Sequence, residues 1–237
     1  MEEDIINVDD ICNSFLVTAM YGKNPNDWPR KTIAVCKIIC TDKNGGKWVS
    51  LQIYKNDSRH AEVKLIEYLR WLGNALKARK IRINIYMNYS PCSDCAKIIL
   101  GYIKEMKSLK REIEMTITFA NFYKTHEYTY KKMDGTEGGN SRENACLNIK
   151  GLKELHKENG VKLRLLGVHV KWERFLDMIC TEEEKVEWLD EANSQERKDR
   201  EEFDKKFWDD KILGMEGATQ KLKTTTISDE SEDGNSD

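Results

Sequence analysis

The chain has 237 residues, of which 39% are hydrophobic and 34% are charged, and its formal net charge is −2. This length holds one ample domain with a tail, or two small domains, and the lack of an apolar run near 18 residues excludes a transmembrane helix. The acidic start, Met-Glu-Glu-Asp, is unlike a secretory signal or transit peptide, so we expect a cytoplasmic or nuclear protein that is not secreted.

The first third of the chain predicts a helix followed by a β-hairpin. An apolar stretch at 11–22 predicts a short helix packed on the domain, and a loop that contains Trp28 follows it. Residues 32–40 and 48–54 have the composition of strands, and Asn44-Gly45-Gly46 between them is a hairpin signal.

The middle of the chain alternates between helices and strands. Strands are predicted at 81–87, 113–123 and 161–170, with helices at about 93–107 and 142–158 between them. A strand–helix–strand order implies right-handed crossovers and parallel strands. Together with a helix that begins at His60, this order predicts an α/β fold of three layers, with a five-stranded mixed sheet flanked by helices.

The remaining segments are predicted from their polarity. Lys124–Asn140 is polar and rich in glycine, which predicts a loop. A short helix is expected at 172–179, and a charged helix with a solvated face at about 182–213. Residues 214–237 are acidic and predict a disordered tail. We therefore expect a single domain over residues 1–213.

The charge is distributed unevenly along the chain. Residues 1–181 carry 30 Lys/Arg and 22 Asp/Glu, a net charge of +8, whereas residues 182–237 carry 9 and 19, a net charge of −10. A basic body suits a polyanionic substrate, although an ordinary solvated surface can carry the same excess.

Two short motifs point to a metal. His60-Ala61-Glu62 is followed, after 28 residues, by Pro91-Cys92-Ser93-Asp94-Cys95. One imidazole and two thiolates are three ligands for Zn²⁺, and a fourth position that stays open for water is typical of catalytic zinc. Taken alone, the Cys pair would equally fit a redox pair or half of a structural zinc site. The ordered combination, with both halves opening predicted helices, favours Zn²⁺ held by His60, Cys92 and Cys95.

The same motifs specify a chemistry. Zn²⁺ lowers the pKa of its water toward neutrality, which makes the water a nucleophile. Glu62 lies two residues past the His, so it can move protons from that water without binding the metal. H-x-E followed by P-C-x-x-C is typical of zinc-dependent nucleobase deaminases, and Glu62 is their proton shuttle.

The flanking residues resemble one deaminase family. Ser90-Pro91-Cys92-Ser93-Asp94-Cys95-Ala96 resembles the S-P-C-x-x-C-A motif of the AID/APOBEC cytosine deaminases, and Ala120-Asn121-Phe122-Tyr123 resembles the end of their fourth strand. The resemblance covers roughly residues 11–205 and is nearest to the lamprey-type enzymes of immune-receptor diversification. It implies a cytidine-deaminase-like fold that converts cytosine to uracil in single-stranded polynucleotide, with DNA favoured over RNA.

The resemblance also implies a substrate site. Tyr123 would stack on the target base, and Thr32 or a polar residue near Asn56 would hold the ribose or the base edge. Tyr89 stands where the family usually has Trp, and with Ser90 it would line the pocket. Trp28 would either stack on nucleic acid or anchor its loop. His126, in the long loop, is expected to be solvated.

Several alternatives remain open at this point. A free-nucleotide enzyme of the deoxycytidylate deaminase type shares both motifs. A tRNA adenosine deaminase would have Met in place of Asp94. A catalytically silent nucleic-acid-binding module is the third alternative.

Outside the zinc motif we expect five buried free thiols: Cys12, Cys36, Cys40, Cys146 and Cys180.

The charge asymmetry generates a prediction. Residues 224–237 carry five negative charges, and their removal should tighten binding to single-stranded DNA because the tail competes with phosphates for the basic body. The gain should be largest at low salt, and fluorescence anisotropy over a salt series measures it. Equal affinity of the full and truncated chains at every salt concentration would leave solubility as the role of the tail.

Overall fold

The computed structural model describes residues 7–16, 31–131 and 137–214. Within these ranges the strands are β1 (Ile33–Thr41), β2 (Lys47–Lys55), β3 (Lys80–Tyr89), β4 (Glu112–Asn121), β5 (Tyr128–Lys131), β6 (Glu137–Asn140) and β7 (Val161–Leu165). The α-helices are α1 (Val8–Leu16), α2 (Ala61–Ala75), α3 (Ser93–Ser108), α4 (Arg142–Lys157), α5 (Trp172–Ile179), α6 (Glu182–Ala192) and α7 (Gln195–Phe207). The predicted loop around Trp28 and the predicted tail after Gly214 lie outside the described residues.

Five strands form one mixed sheet in the order β2-β1-β3-β4-β7. β1 pairs antiparallel with β2 and with β3, whereas β3 and β7 each pair in parallel with β4. The parallel pairs are the ones that a helix connects, because α3 joins β3 to β4 and α4 lies between β4 and β7. The predicted α/β fold with a five-stranded mixed sheet is confirmed.

Helices cover both faces of the sheet. Successive side chains of a strand point to opposite faces, so each face has apolar side chains to bury. One face packs against α2, α3 and α4, and its core includes the fully buried residues Ile83 and Ile117. On the other face, Phe175 of α5 stacks on Phe15 of α1 at 4.4 Å and contacts Tyr86 of β3 at 5.3 Å between ring centroids. Burying each such aromatic ring stabilises the fold by about 1.5–3 kcal/mol.

Two helices begin at the same edge of the sheet. β2 and β3 are both antiparallel to β1, so they run in the same direction and their carboxyl ends lie at one edge. α2 follows β2 and α3 follows β3 after short connections. The topology therefore brings the amino ends of α2 and α3 close together.

The glycine-rich segment Lys124–Asn140 is not a loop throughout, as the sequence had predicted. β5 and β6 form an antiparallel hairpin within it, in which Thr129 pairs with Gly139 and Tyr128 pairs with Asn140. Glycine is depleted in strands because it has no side chain to pack. The backbone pairing nevertheless forms, so composition alone gave the wrong prediction.

The predicted helix over 182–213 is two helices rather than one, and its polar side chains are not all solvated. The break falls at Asn193 and Ser194, where the Ser194 hydroxyl accepts a hydrogen bond from the Arg197 backbone N–H and caps α7. Arg197 is 2% exposed, and its Nη2 donates to the carbonyl of Ala120 at 2.9 Å. The last helical segment that the structure describes is a π-helical turn at Trp208–Ile212. The Trp208 indole packs in the hydrophobic core.

The prediction of five buried thiols holds for three of them. Cys12, Cys36 and Cys40 are buried, whereas Cys180 is half-buried and Cys146 is exposed on α4. Cys146 lies on the outer face of the amphipathic helix α4. The apolar character of cysteine predicted burial, but it does not indicate which face of a helix a residue occupies. In the part of the chain that the structure describes, no helix is both long and apolar enough to cross a lipid bilayer.

Two glycines offer a matched test of the fold. Gly160 has φ +100°, and a Cβ there would lie 2.9 Å from the Ile113 carbonyl oxygen, so Gly160→Ala should destabilise the protein by more than about 1 kcal/mol. Gly101 is exposed in α3 with nothing within 4 Å of an added Cβ, so Gly101→Ala should stabilise by about 0.5–1 kcal/mol. Urea unfolding of the two variants measures both effects, and shifts of the same sign would contradict this description of the turn before β7.

Candidate active site and metal centre

The three predicted metal ligands lie at the starts of two helices. His60 is the N-cap residue of α2, Cys92 is the N-cap residue of α3, and Cys95 lies in the first turn of α3. Neither N-cap side chain makes an ordinary capping hydrogen bond. Ser, Thr, Asp or Asn ordinarily occupies such a position and uses its side chain as the cap. Here the side chains turn toward each other instead.

The ligand atoms are as close as one metal ion requires. His60 Nδ1 lies 3.2 Å from Cys95 Sγ and 3.6 Å from Cys92 Sγ. All three ligand atoms lie within 4.8 Å of one another. Tetrahedral zinc with ordinary Zn–S and Zn–N bonds separates such atoms by about 3.5–3.8 Å. The residues therefore fit a zinc ion, with His60, Cys92 and Cys95 as its protein ligands.

The two thiols are electrostatically unequal. The hydrogen bond from the Cys95 thiol lowers the pKa of Cys92 to about 5, and the backbone N–H groups of Cys95 and Asp94 and the charge of His60 assist. The same interaction raises the pKa of Cys95, and burial raises it further. The opposite shifts make Cys92 the more acidic thiol of the pair. Zinc binds thiolates, so both cysteines would be deprotonated in the zinc-loaded site.

Glu62 lies beside the ligands in the first turn of α2. Its side chain is 5% exposed, and its Oε2 atom has no hydrogen-bond partner among the described residues. Burial raises the pKa of Glu62 to about 7, the Cys92 thiolate adds to the rise, and His60 opposes it. A buried carboxyl oxygen without a partner costs free energy, and a catalytic role is one of the reasons that a protein keeps such an oxygen. Here the free oxygen is next to the metal ligands.

The predicted pocket residues Tyr89, Ser90 and Tyr123 come together at the ends of β3 and β4. The rings of Tyr89 and Tyr123 meet edge to face, with centroids 5.8 Å apart. The Ser90 hydroxyl accepts a hydrogen bond from the Tyr123 backbone N–H at 2.9 Å, and the Ser90 N–H donates to the carbonyl of Asn121 at 2.8 Å. Lys124 places its ammonium group 5.2 Å from the centre of the Tyr123 ring. The segment that follows Tyr89 is thus tied to the segment that carries Tyr123.

Thr32 and Asn56 are bonded to each other at the same edge of the sheet. The Asn56 side-chain oxygen accepts from the Thr32 N–H at 2.8 Å, and the Asn56 N–H donates to the Thr32 carbonyl at 3.0 Å. These bonds extend the β1–β2 ladder by one residue toward His60. Trp28, the remaining predicted binding residue, lies outside the described residues.

His126 does not have the solvated environment that the sequence predicted. It is half-buried, and its ring lies 4.8 Å from the ring of Phe207 and 5.9 Å from that of Phe203, both on α7. Burial lowers the pKa of His126 to about 4, and the charges of Arg200 and Lys211 contribute. His126 is therefore a neutral packing residue that attaches the loop after β4 to α7.

Three buried asparagines near the site were missed by the sequence analysis. The Asn88 side chain accepts from the Ile33 N–H at 2.9 Å and donates to the Lys31 carbonyl at 2.9 Å. Asn140 and Asn148 hold the turn at Lys124 through their side-chain amides. The position of Asn88 directly before Tyr89-Ser90 could have indicated a role at the site. The sequence gives no such indication for Asn140 and Asn148, because their hydrogen-bond partners are distant along the chain.

A comparison with known families identifies the class. A mixed sheet with a His-Cys-Cys zinc site at the starts of two helices defines a zinc-dependent deaminase of the cytidine deaminase class. The model of the APOBEC3 cytosine deaminase domain matches residues 19–138, which include both metal motifs. The chain therefore belongs to the APOBEC3 cytosine deaminase domain family, and it is a zinc-dependent cytosine deaminase. A search of curated proteins found no match to the chain.

Cysteine replacement tests the metal centre. Purified wild-type protein should contain one zinc per chain, and Cys92→Ala should lose it because two protein ligands hold zinc far less tightly than three. Inductively coupled plasma mass spectrometry measures the metal content. Cys146→Ala is the matched control, since Cys146 is exposed on α4 and is not one of the three clustered ligands. Full zinc occupancy in Cys92→Ala would show that Cys92 is not a ligand.

Proposed function

We propose that this protein deaminates cytosine to uracil in single-stranded polynucleotide, with single-stranded DNA preferred over RNA. The observation that carries the proposal is the buried carboxyl of Glu62, with a free oxygen, beside the ligand set His60, Cys92 and Cys95. A zinc ion held there supplies a water molecule whose pKa is lowered toward neutrality. The net reaction consumes one water and releases one ammonia for each cytosine converted.

Glu62 moves the protons in this proposal. It takes a proton from the attacking water and delivers it to the ring nitrogen next to the reacting carbon. It then moves the remaining proton of the added hydroxyl to the amine, which leaves as ammonia when the carbonyl forms. Its burial keeps bulk water away from the transfer, and its position in the first turn of α2 fixes it relative to His60. Its raised pKa is consistent with a group that both accepts and donates a proton near neutral pH.

The aromatic pair supports a nucleobase as substrate. We propose that Tyr123 stacks on the target base and that Tyr89 lines the pocket behind it. Tyr89 is buried, whereas Tyr123 is more exposed, and the two rings meet edge to face. The hydrogen bond from Tyr123 to Ser90 ties the base-binding side to the residue before Pro91. Thr32 and Asn56 have polar groups at the same edge of the sheet, and we assign them to the ribose or base edge.

A polynucleotide is favoured over a free nucleotide by the charge of the body. Residues 1–181 carry a net charge of +8, and Lys124 places a cation directly beside Tyr123. Lys and Arg that neutralise phosphates release counterions, so binding should weaken steeply as salt rises. The second candidate, a deoxycytidylate-type deaminase, fits the metal motifs equally well. It does not need this excess of cations outside the pocket.

The test is a side-by-side deamination assay with dCMP, single-stranded DNA and single-stranded RNA. Wild-type protein should convert the single-stranded DNA fastest, and its KM should rise with salt. Glu62→Gln should lower turnover by at least about 10²–10⁴-fold while zinc stays bound, because it keeps the size of the side chain but cannot carry the proton. Glu67→Gln, the same change at an exposed position on α2, is the control.

Each part of this proposal has an outcome that contradicts it. Fastest turnover of dCMP would replace the polynucleotide assignment with the free-nucleotide one. Near-full activity of Glu62→Gln would remove Glu62 from the mechanism whichever substrate is preferred.

A further inference from the structure

The backbone N–H of Ser93, the first residue of α3, needs an acceptor from outside its own helix. The side chain of an N-cap residue reaches the N–H groups of the second and third helical residues, here Asp94 and Cys95, and not that of the first. The N-cap of α3 is Cys92, whose sulfur also faces His60. A residue from elsewhere in the fold must therefore supply an acceptor.

Asn148 of α4 supplies it. The Asn148 Oδ1 atom accepts a hydrogen bond from the backbone N–H of Ser93, the first residue of α3, at 2.8 Å. The Asn148 side chain is buried, with 6% exposure. Gly151, one turn further along α4, permits the close approach, because a Cβ there would lie 3.0 Å from the Ala96 Cβ and 3.2 Å from the Ser93 Cα.

The nitrogen of the same amide holds the turn after β4. Asn148 Nδ2 donates to the Lys124 carbonyl at 3.1 Å and to the Tyr123 carbonyl at 3.4 Å. Lys124 has φ +47°, a left-handed conformation that residues with a Cβ rarely adopt. Asn140 Nδ2 reinforces the turn, since it donates to the Lys124 carbonyl at 2.9 Å and to that of His126 at 2.7 Å.

We propose that Asn148 is a positioning residue that fixes the start of the metal-binding helix to the turn that carries Tyr123. One buried amide uses its oxygen on the metal side of the site and its nitrogen on the base-binding side. This side chain connects the zinc ligands to the Tyr123 turn from α4, in addition to the hydrogen bonds that Ser90 makes. The catalytic consequence rests on the proposed function, whereas the structural coupling does not.

Replacement by aspartate separates the two halves of this role. Asn148→Asp is nearly isosteric and keeps an oxygen to accept from the Ser93 N–H, where the amino end of α3 also favours a negative charge. It has no donor for the Lys124 and Tyr123 carbonyls, and it sets a carboxylate against their oxygens. Asn148→Ala removes both halves. Asn144→Asp, an exposed position one turn earlier in α4, is the matched control.

Three measurements follow each variant. Zinc affinity is measured by competition with a chromophoric chelator, and the turn at 121–126 by amide hydrogen exchange of the zinc-loaded protein. The kcat and KM values are measured on single-stranded DNA. Thermal unfolding reports whether each variant is folded.

Asn148→Ala should weaken zinc binding and lower kcat/KM, each on the order of 10-fold, a typical effect for residues that orient metal ligands. Asn148→Asp should keep zinc affinity within about 3-fold of wild type, yet lose kcat/KM on the order of 10-fold and speed exchange at 121–126. Asn144→Asp should match wild type in every measurement. This split, in which aspartate rescues one function and not the other, would not arise from a general loss of stability.

The proposal is overturned if Asn148→Asp loses zinc as strongly as Asn148→Ala, or if its exchange at 121–126 equals that of Asn144→Asp. Should Asn148→Ala fail to fold, the isosteric Asn148→Asp still decides the matter. Should zinc-loaded wild type prove inactive on every cytosine substrate, the proposed function fails. The zinc and exchange measurements would then still decide whether Asn148 couples the two sides.

Discussion

His60 and Cys92 each occupy the N-cap position of a helix, and much of the surrounding structure follows from that placement. A thiolate near a helix start is favoured by the free N–H groups and the positive end of the dipole, by roughly 0.3–1 kcal/mol and up to about 2 kcal/mol when partly buried. The two starts meet because β2 and β3 run in the same direction and end at one edge. The side chains of His60 and Cys92 are directed at each other, and the Ser93 N–H at the start of α3 needs polar support from another element. A buried asparagine provides it.

That support extends well beyond the segment that the family model matches. The match ends at residue 138, yet Asn140, Asn148 and α7 all hold the turn after β4. Arg197 of α7 donates to the carbonyl of Ala120 from a fully buried position, next to the strand end that leads to Tyr123. Its guanidinium lies 4.9 Å from the Trp172 ring, and Glu201 accepts hydrogen bonds from both side chains. The charged helix is thus part of the domain's packing rather than an external appendage.

The metal ligands and the sheet were predictable because their signals are local. The spacing of His60, Cys92 and Cys95 is written in two short motifs, and strand alternation gave the five-stranded sheet. The hairpin at Tyr128–Asn140 and the burial of Arg197 were not predictable in this way. Glycine-rich polar segments resemble loops, and charged residues are buried only when paired, which depends on the tertiary fold. The same reasoning applies to His126, whose environment is set by the rings of α7.

The hydrogen bonds of Asn148 show why the residues that support metal ligands are hard to predict from the sequence. An asparagine inside a predicted helix carries no motif, and its acceptor and donor partners are 55 and 24 residues away along the chain. Only the packing of α4 on α3, which Gly151 permits, brings the amide to both. The chemistry of a deaminase can be inferred from four residues in two motifs. The hydrogen bonds between the start of the metal-binding helix and the turn after β4 come from a residue that neither motif contains.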